Sequence, residues 1–584
     1  MDEKKNRNDE TAETDAGHIA NARRGGSYKM MRAQNAWKRC GTVARRICGD
    51  RTDGSIVAVA YVAYRVASSN GMLAPEKVVG TMGDADCRDL LSRTFADGGY
   101  DEVRVLAEDF GAEALSSAIL APSRNVGRQD EACSTPASIC ELALAILDVK
   151  PGERVVDYGC GRGDFLMAAR ASMPEAVCEG VEVDAEQAAV ARLRAEVAGD
   201  VDVVTGDMFE VYPATADKIF SNFPLGMQFA SIASGSDYMA RARQGMPEYG
   251  RPASADWAYA RLVADTVARG GRGVVVMTNG ALANGSDARI RRYFLDHGLV
   301  EAVIALPAHI LGKSDVSLVV LGHDAGPVRM VDASDLGHEG RRQSTLDEKA
   351  IACVIDRLSR DGDHSKLVDS CVLGDARYVL DPRRFLGEIL DDAVPFSSIV
   401  VSIGRGAALS AADLDTLSAE PDTHVRYLMA SNIMGGLVAE DLPCLKVDDL
   451  KLDRYRLVDG DLVISKLGLP FKVAVAEVPA GETVLAVGNV FVVRLDPAKA
   501  DPYFVAAYLS GHVGQNLLSR VSSGTNVPML PISALRTLPV PDRPMDEQRG
   551  LGKRYRKAVE DARDLRATAE RALEDALSLF DGKE

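Results

Sequence analysis

Val155-Val156-Asp157-Tyr158-Gly159-Cys160-Gly161-Arg162-Gly163-Asp164-Phe165-Leu166 constrains this chain more than any other stretch. Two β-branched residues run into an acid, three glycines come next at every second position, and apolar residues then resume at helical spacing, which reads as strand, tight loop, helix. Glycines so spaced let the backbone pass close to a ligand and leave N–H groups at a helix N-terminus facing it. The pattern is D-x-G-x-G-x-G, with the acid before the glycines, rather than G-x-G-x-x-G. A glycine loop also serves plain strand-to-helix packing, so the residues downstream of it decide between the two roles.

Three further strand ends carry the right chemistry. Gly180-Val181-Glu182-Val183-Asp184 closes a second apolar strand, with Glu182 nineteen residues beyond Gly163. A doubly wound sheet places an acid at roughly that distance to accept hydrogen bonds from ribose hydroxyls, so Glu182 is the first choice and Asp184 the second. The strand Val201 to Thr205 ends in Gly206-Asp207-Met208-Phe209, where Asp207 can accept from an adenine amine and Phe209 can pack on its ring. Strand-end acids are also ordinary N-caps. The strand Ala216 to Ser221 delivers Asn222-Phe223-Pro224-Leu225.

The acid-then-glycines loop resembles that of S-adenosylmethionine-dependent methyltransferases. Ser134-Thr135-Pro136, read from its chemistry, is an N-capped helix start with proline in the first turn. Its place ahead of the loop resembles the T-P pair of N6-adenine DNA methyltransferases, which begins the helix covering the methionine end of the cofactor. The resemblance implies S-adenosyl-L-methionine as cofactor, with Thr135, Pro136, Asp157, Gly159, Gly161, Gly163, Phe165, Glu182, Asp207 and Phe209 around it. Methylating an exocyclic amine needs acceptors that orient the amine and a flat surface that holds the flipped base. The N-P-P-F/Y motif supplies both. Here Asn222 and Pro224 match it, Phe223 replaces the first proline, and Leu225 replaces the aromatic. A backbone carbonyl survives any substitution, so Phe223 keeps the acceptor. Leu225 is the larger departure, since base–aromatic stacking contributes about 1–3 kcal/mol per base, and Phe223 or Phe229 are the candidate replacements.

From Asp256-Trp257-Ala258-Tyr259, through Gly270-Gly271-Arg272-Gly273 and Thr278-Asn279-Gly280, to Arg289–Leu295 and Val300–Pro307, the order of motifs is similar to the modification subunit of type I restriction-modification systems. This likeness runs from about Gly127 to Leu386. Lys313-Ser314 after Gly312 lacks the leading glycine of a P-loop, Pro307 standing there, which excludes ATP binding by that motif. Asp459-Gly460-Asp461-Leu462, Ser523-Gly524-Thr525-Asn526, Leu538-Pro539-Val540-Pro541 and Glu547-Gln548 resemble one target-recognition unit of a type I specificity subunit. A strand-rich accessory domain is the alternative.

Composition adds limits. At 584 residues and 46% hydrophobic the chain can bury several cores, about three or four domains by length. The start, Met-Asp-Glu-Lys-Lys, has no apolar run, and the longest apolar stretch, Ser55 to Tyr64, is too short to span a bilayer, which argues for a cytoplasmic protein without membrane contact. Ten cysteines without a C-x-x-C pair indicate neither a disulfide framework nor a metal site. The net charge of −17 excludes uniform nucleic-acid coating but leaves a local basic groove open. One candidate is the basic run Arg23 to Arg46, with Tyr28 and Trp37 interleaved; a solvated helix face is its other reading.

The expected layout is a disordered tail at 1–20, a helical N-terminal domain at 21–126, a doubly wound, Rossmann-like α/β methyltransferase at 127–387, an α+β target-recognition domain at 388–544, and a coiled-coil helix at 545–584. In that helix Tyr555, Val559, Ala562, Arg566, Ala569, Leu573, Ala576 and Phe580 form a heptad seam broken by Arg566. The seam either pairs two chains into a homodimer or packs back on its own domain. The expected function is site-specific adenine-N6 methylation of double-stranded DNA, with a restriction subunit as the further partner the resemblance implies. A catalytically silent DNA-binding protein is the alternative, motivated by Leu225; an RNA or protein methyltransferase leaves the recognition unit without a purpose.

Overall fold

The computed structural model describes residues 29–49, 52–121, 135–210, 215–229, 237–238, 240, 254–312, 315–340, 343–375, 378–386, 392–418, 424–439, 441–446, 450–522 and 528–578. The expectations for 1–20, Arg23, Arg24, Tyr28, Ser134, Lys313-Ser314, Ser523–Asn526 and Phe580 lie outside those residues. The chain divides into two compact units, one holding nearly everything up to Leu380 and the other mainly Asp381 onward.

The first unit is built on a nine-stranded sheet. Its first eight strands are β1 (Arg154–Tyr158), β2 (Val177–Glu182), β3 (Val201–Thr205), β4 (Ala216–Ser221), β5 (Val267–Thr278), β6 (Val300–Ala305), β7 (Val316–Leu321) and β8 (Val328–Asp332). They lie in the order β8-β6-β7-β5-β4-β1-β2-β3, all pairs parallel except those that β7 makes with β5 and β6. Helices cover both faces, so the central strands read as unbroken apolar runs: Val316–Leu321 is buried at every position. The helix Asp256–Thr266 leads straight into the sheet. β5 begins at once, with a register shift opposite Ala216 and Lys218 absorbing the Gly270-Gly271 pair. Strand order reverses between β1 and β4, and a doubly wound sheet opens a crevice at the carboxyl ends of the two strands flanking such a reversal.

The helical N-terminal segment is part of this unit. Helices Asp53–Ser68, Pro75–Gly80, Ala85–Thr94 and Tyr100–Leu120 enclose Ile56, Tyr61, Leu91, Leu106 and Leu115 and bury Ala189, Val190 and Leu193 of the helix Ala185–Ala198 in the same cluster. Residues 29–48 are helical, and Trp37 packs on that cluster. The basic run is partly spent internally: Lys29 pairs with Glu113, Arg46 with Glu102, and Arg32 donates to the carbonyls of Asp109 and Phe110.

The second unit is α+β. Its four-stranded antiparallel sheet orders Val400–Arg405, Val490–Leu495, Leu462–Ser465 and Val473–Val475, backed by helices Pro502–Ser510 and His512–Arg520 over Phe396, Phe471, Phe491 and Phe504. The Gly460-Asp461 turn has a structural role. Gly460 sits at φ +86°, and buried Asp461 holds Arg494 through both oxygens at 2.9 and 2.7 Å. Gln548 is buried at the start of the 34-residue helix Met545–Ser578, accepting from the Asp501 N–H and donating to the carbonyls of Lys499 and Arg543. The heptad seam divides. Tyr555 and Val559 pack within the unit, against the backbone at Gly436, whereas Ala562, Ala569 and Leu573 further along the seam are exposed, Leu573 at 60%. Intramolecular packing thus consumes the first turns of the seam and leaves the distal ones open.

Candidate functional site

The crevice between β1 and β4 gathers the residues that the sequence scatters over about ninety positions. From β1 the chain enters the loop through Asp157, and Gly159, Gly161 and Gly163 all adopt positive φ, of +71°, +53° and +76°. These are left-handed values that a side chain tolerates poorly, so the spacing is a backbone requirement. A Cβ on Gly159 would also stand 3.3 Å from the Met208 methyl and 4.0 Å from the Phe223 Cα, which keeps the cradle open.

Glu182, at the end of β2, is nearly buried and braces the loop: Oε2 accepts from the Gly161 N–H at 2.8 Å and Oε1 from the Asp184 N–H at 2.9 Å. Asp184 instead caps the helix Ala185–Ala198 by accepting from the N–H groups of Glu186 and Gln187. Asp184 is thus spent on the helix cap, while Glu182 stays against the glycine loop. Asp157 is buried, and its Oδ1 has no hydrogen-bond partner among the described residues. Burial, then the nearby Glu182 and Asp164 carboxylates, hold its carboxyl well above the usual range. A buried acceptor left unpaired next to a second acid is costly on its own and becomes favourable against a cationic ligand. S-adenosylmethionine, which carries a sulfonium and an ammonium, fits that donor set; the glycine loop, Asp157 and Glu182 are the residues that would hold it.

Asp207, at the end of β3, spends Oδ1 on the Phe209 N–H at 2.9 Å. Phe209 is buried in a stack that the sequence did not reveal: its ring lies 5.2 Å from that of Tyr259, and Tyr259 lies 4.3 Å from Phe223. Tyr259 comes from the helix Asp256–Thr266. Burial, with Asp207 and Asp256 adding to it, pushes its phenol up to about 12. The rest of that motif latches the end of β5, Asp256 accepting from the Thr278 N–H and hydroxyl and the Trp257 indole donating to the Ala281 carbonyl. Val183, 69% exposed beside Glu182, is an apolar surface at the strand end that pattern reading passed over.

At the end of β4, Asn222 Nδ2 donates to Thr135 Oγ1 at 3.1 Å. This contact ties Asn222 to the Thr-Pro element 87 residues before it, and it orients the carboxamide with Nδ2 as donor and Oδ1 as acceptor. It also corrects the capping expectation. Pro136 itself is the N-cap of the helix Ala137–Leu147, which has no side-chain cap, because the Thr135 hydroxyl faces Asn222. Two aromatic expectations change as well. Phe165 is fully buried and stacks on Phe220 at 4.3 Å, so it supports the loop from the core instead of lining the ligand side. Phe223 is buried against Tyr259, and Phe229 is buried too, so neither presents a free face, while Pro224 is exposed and Leu225 partly so. Among the described residues no group of three or more His, Cys, Asp or Glu is placed to hold a metal ion, and no helix is long and apolar enough to cross a membrane. A cavity of about 260 Å³ lined by Lys218, Arg272, Glu301 and His323 lies at the opposite ends of the strands and takes no part in this crevice.

Residues 123–389 match the family model of N-6 DNA Methylase. The matched segment contains the glycine loop, all three strand-end acids, Asn222–Leu225 and the Asp256–Tyr259 motif. Within the curated relatives, the methylase subunit of the type I restriction enzyme MjaVIII from Methanocaldococcus jannaschii is 27% identical over 209 residues, 32% of this chain and 35% of that protein. The MjaVII methylase subunit from the same organism is 23% identical over 251 residues, 38% of this chain and 43% of its own. The chain thus spans less than half the length of the curated relatives it matches. Among solved structures, the methyltransferase subunit of a type I restriction-modification system from Streptococcus thermophilus is similar at a TM-score of 0.47 and 16% identity, over 60% of this chain and 98% of that one. The type IIG restriction endonuclease BpuSI is similar at a TM-score of 0.45 and 12% identity, over 88% and 74%.

Proposed function

We propose that this protein is a site-specific DNA methyltransferase that moves a methyl group from S-adenosylmethionine to adenine N6 in double-stranded DNA, acting in the cytoplasm as part of a restriction-modification or related system. The observation that carries the reading is the 3.1 Å contact between Asn222 and Thr135 at the switch point of the sheet, beside a cradle whose buried acids suit a cationic cofactor. The cofactor supplies an electrophilic methyl group. The protein's own part is positional. Asn222 Oδ1 and the Phe223 carbonyl accept the two amine protons and so turn the nitrogen lone pair outward. Asp157 compensates positive charge, Glu182 accepts from the ribose hydroxyls, and Asp207 has a second oxygen for the adenine amine of the cofactor. The second unit serves as one target-recognition domain, and its distal helix pairs with that of a second copy. A restriction subunit is the remaining partner of this reading.

A catalytically silent, sequence-specific DNA binder is the second reading, favoured by one observation: Leu225 stands where an aromatic ring is expected, and both nearby phenylalanines are buried. Sequencing genomic DNA from cells with and without the gene, with detection of modified adenine, separates the two. Modified adenine at one recurring sequence, lost with the gene, is the expected result; identical modification in both strains sinks the enzymatic reading.

A further inference from the structure

Two ion pairs sealed inside the first unit meet at the glycine loop and have no part in methyl transfer itself. Arg162, between Gly161 and Gly163, is 3% exposed, and its Nη1 donates to Asp53 Oδ2 at 2.7 Å while Nε donates to Gln187 Oε1 at 2.8 Å. Asp53 is 1% exposed and stands in the first turn of the helix Asp53–Ser68, which Thr52 caps. The Arg162 carbonyl in turn accepts from Arg194 Nη1 at 2.7 Å. The same Arg194 nitrogen binds Asp164 Oδ1 at 2.8 Å, and its other nitrogens take the carbonyls of Ile119 and Ala121 at 3.0 and 3.2 Å. The crest of the loop is therefore held through its side chain by Asp53 of the N-terminal helical segment, and through its backbone by Arg194, which itself grips the Ile119 and Ala121 carbonyls at the C-terminal end of that segment. Asp53 and Ile119 both precede the family match, which begins at residue 123.

A buried ion pair seldom stabilises a fold more than an apolar replacement of the same shape would, because desolvation offsets most of the Coulomb attraction. What such a pair does supply is one geometry. A loop with three positive-φ glycines has a large choice of conformations and needs an outside constraint to hold its N–H groups in register. Glu182 constrains one side by accepting from Gly161; Asp53 and Gln187 constrain the other through Arg162.

We propose that Asp53 and Arg162 are positioning residues for the cofactor: the N-terminal helical segment holds the glycine loop in its binding geometry, so cofactor affinity is set in part from a residue outside the methylase-matched region. The inference rests on the cofactor assignment of the proposed function. Neither side chain needs to touch the ligand for its loss to be felt there, because both act through the backbone of the loop.

The test uses the full chain, S-adenosylmethionine titrated by calorimetry, and thermal unfolding of each variant. Gln187→Leu removes one tether without stranding a charge, Asp53→Asn removes the charge of the other, and Asp53→Asn with Arg162→Gln leaves a neutral pair of similar shape. Cofactor affinity is expected to fall about threefold in Gln187→Leu and at least tenfold in Asp53→Asn. In the neutral pair the unfolding temperature returns toward wild type while the affinity stays at least fivefold weak. Affinity within twofold of wild type in the folded neutral pair and in Gln187→Leu overturns the proposal, whether or not Asp53→Asn folds. A wild-type chain that does not bind S-adenosylmethionine fails the cofactor assignment itself, and that result is distinct from any difference among the variants.

Discussion

Asn222 and Asp157 do different work at the residue scale. Asn222 is held by Thr135 through its amide nitrogen, so on the proposed reading Asn222→Ala removes an interaction used in the transition state and not in DNA docking. Methyl transfer is expected to fall at least a thousandfold while DNA affinity stays within twofold, measured by tritium transfer and by anisotropy on the same preparation. Leu225→Phe adds a ring at a partly exposed position and is expected to hold or raise the rate; a tenfold drop would mean that the pocket is shaped for leucine. Asp157 has a carboxyl pKa raised by burial and neighbouring acids, so in the absence of cofactor its ionisation opposes folding. For a raised carboxyl the stabilising contribution is complete below the unfolded value, about 4, and is lost as pH rises toward the folded one. Asp157→Asn should therefore raise the unfolding temperature of the cofactor-free protein at pH 8 and lose that advantage toward pH 4. The same change should weaken cofactor binding about tenfold or more, the size expected for a hydrogen bond to a charged group, about 1.5–3 kcal/mol. A variant that is less stable at pH 8 than wild type would show that Asp157 is satisfied without ligand.

At the scale of elements, the long C-terminal helix combines two behaviours that heptad counting could not separate. Its first turns meet the backbone at Gly436, whose φ is +88° and whose Cβ, if present, would lie 2.5 Å from the Tyr555 hydroxyl and 3.1 Å from a Val559 methyl. Gly436→Ala is therefore strained twice, by a left-handed backbone costing about 1–2 kcal/mol and by displacement of the helix. A lower unfolding temperature for the second unit, with the first unit's transition unmoved, is the expected calorimetric trace. Unchanged unfolding would mean that these turns of the helix are not seated. Exposed Leu565 and Leu573, further along, have no such partner among the described residues.

For the whole molecule, that division decides where to cut. Truncation after Gln548 would strip Tyr555 and Val559 from their own unit and confuse misfolding with loss of assembly, whereas truncation after Ala562 keeps the seated turns and removes the exposed seam. The shortened chain is expected to scatter as a monomer with cofactor affinity unchanged. Its specific DNA affinity is expected about a hundredfold lower, because a second half-site no longer binds at high effective concentration. Full-length protein should be a dimer reading two inverted half-sites with a spacer. A full-length monomer on a short asymmetric site would assign the whole target to one chain.

The sequence by itself determined the strand, loop and helix around Asp157 and the succession of strands ending in Glu182, Asp207 and Asn222, because each is written in local periodicity or in a backbone requirement such as positive φ. It also offered Asp184 beside Glu182, an N-capped helix start at Ser134-Thr135-Pro136, Phe165 among the residues around the cofactor, and Phe223 as a candidate stacking ring. Only the tertiary structure could choose among these, since each choice depends on which distant group a side chain meets: the N–H groups of Glu186 and Gln187 for Asp184, Asn222 for Thr135, Phe220 for Phe165, Tyr259 for Phe223. The partnership of Asp53 with Arg162, 109 residues apart, leaves no periodic trace at all, because a single buried ion pair is made by the packing of two helices onto a loop and by nothing in its own neighbourhood.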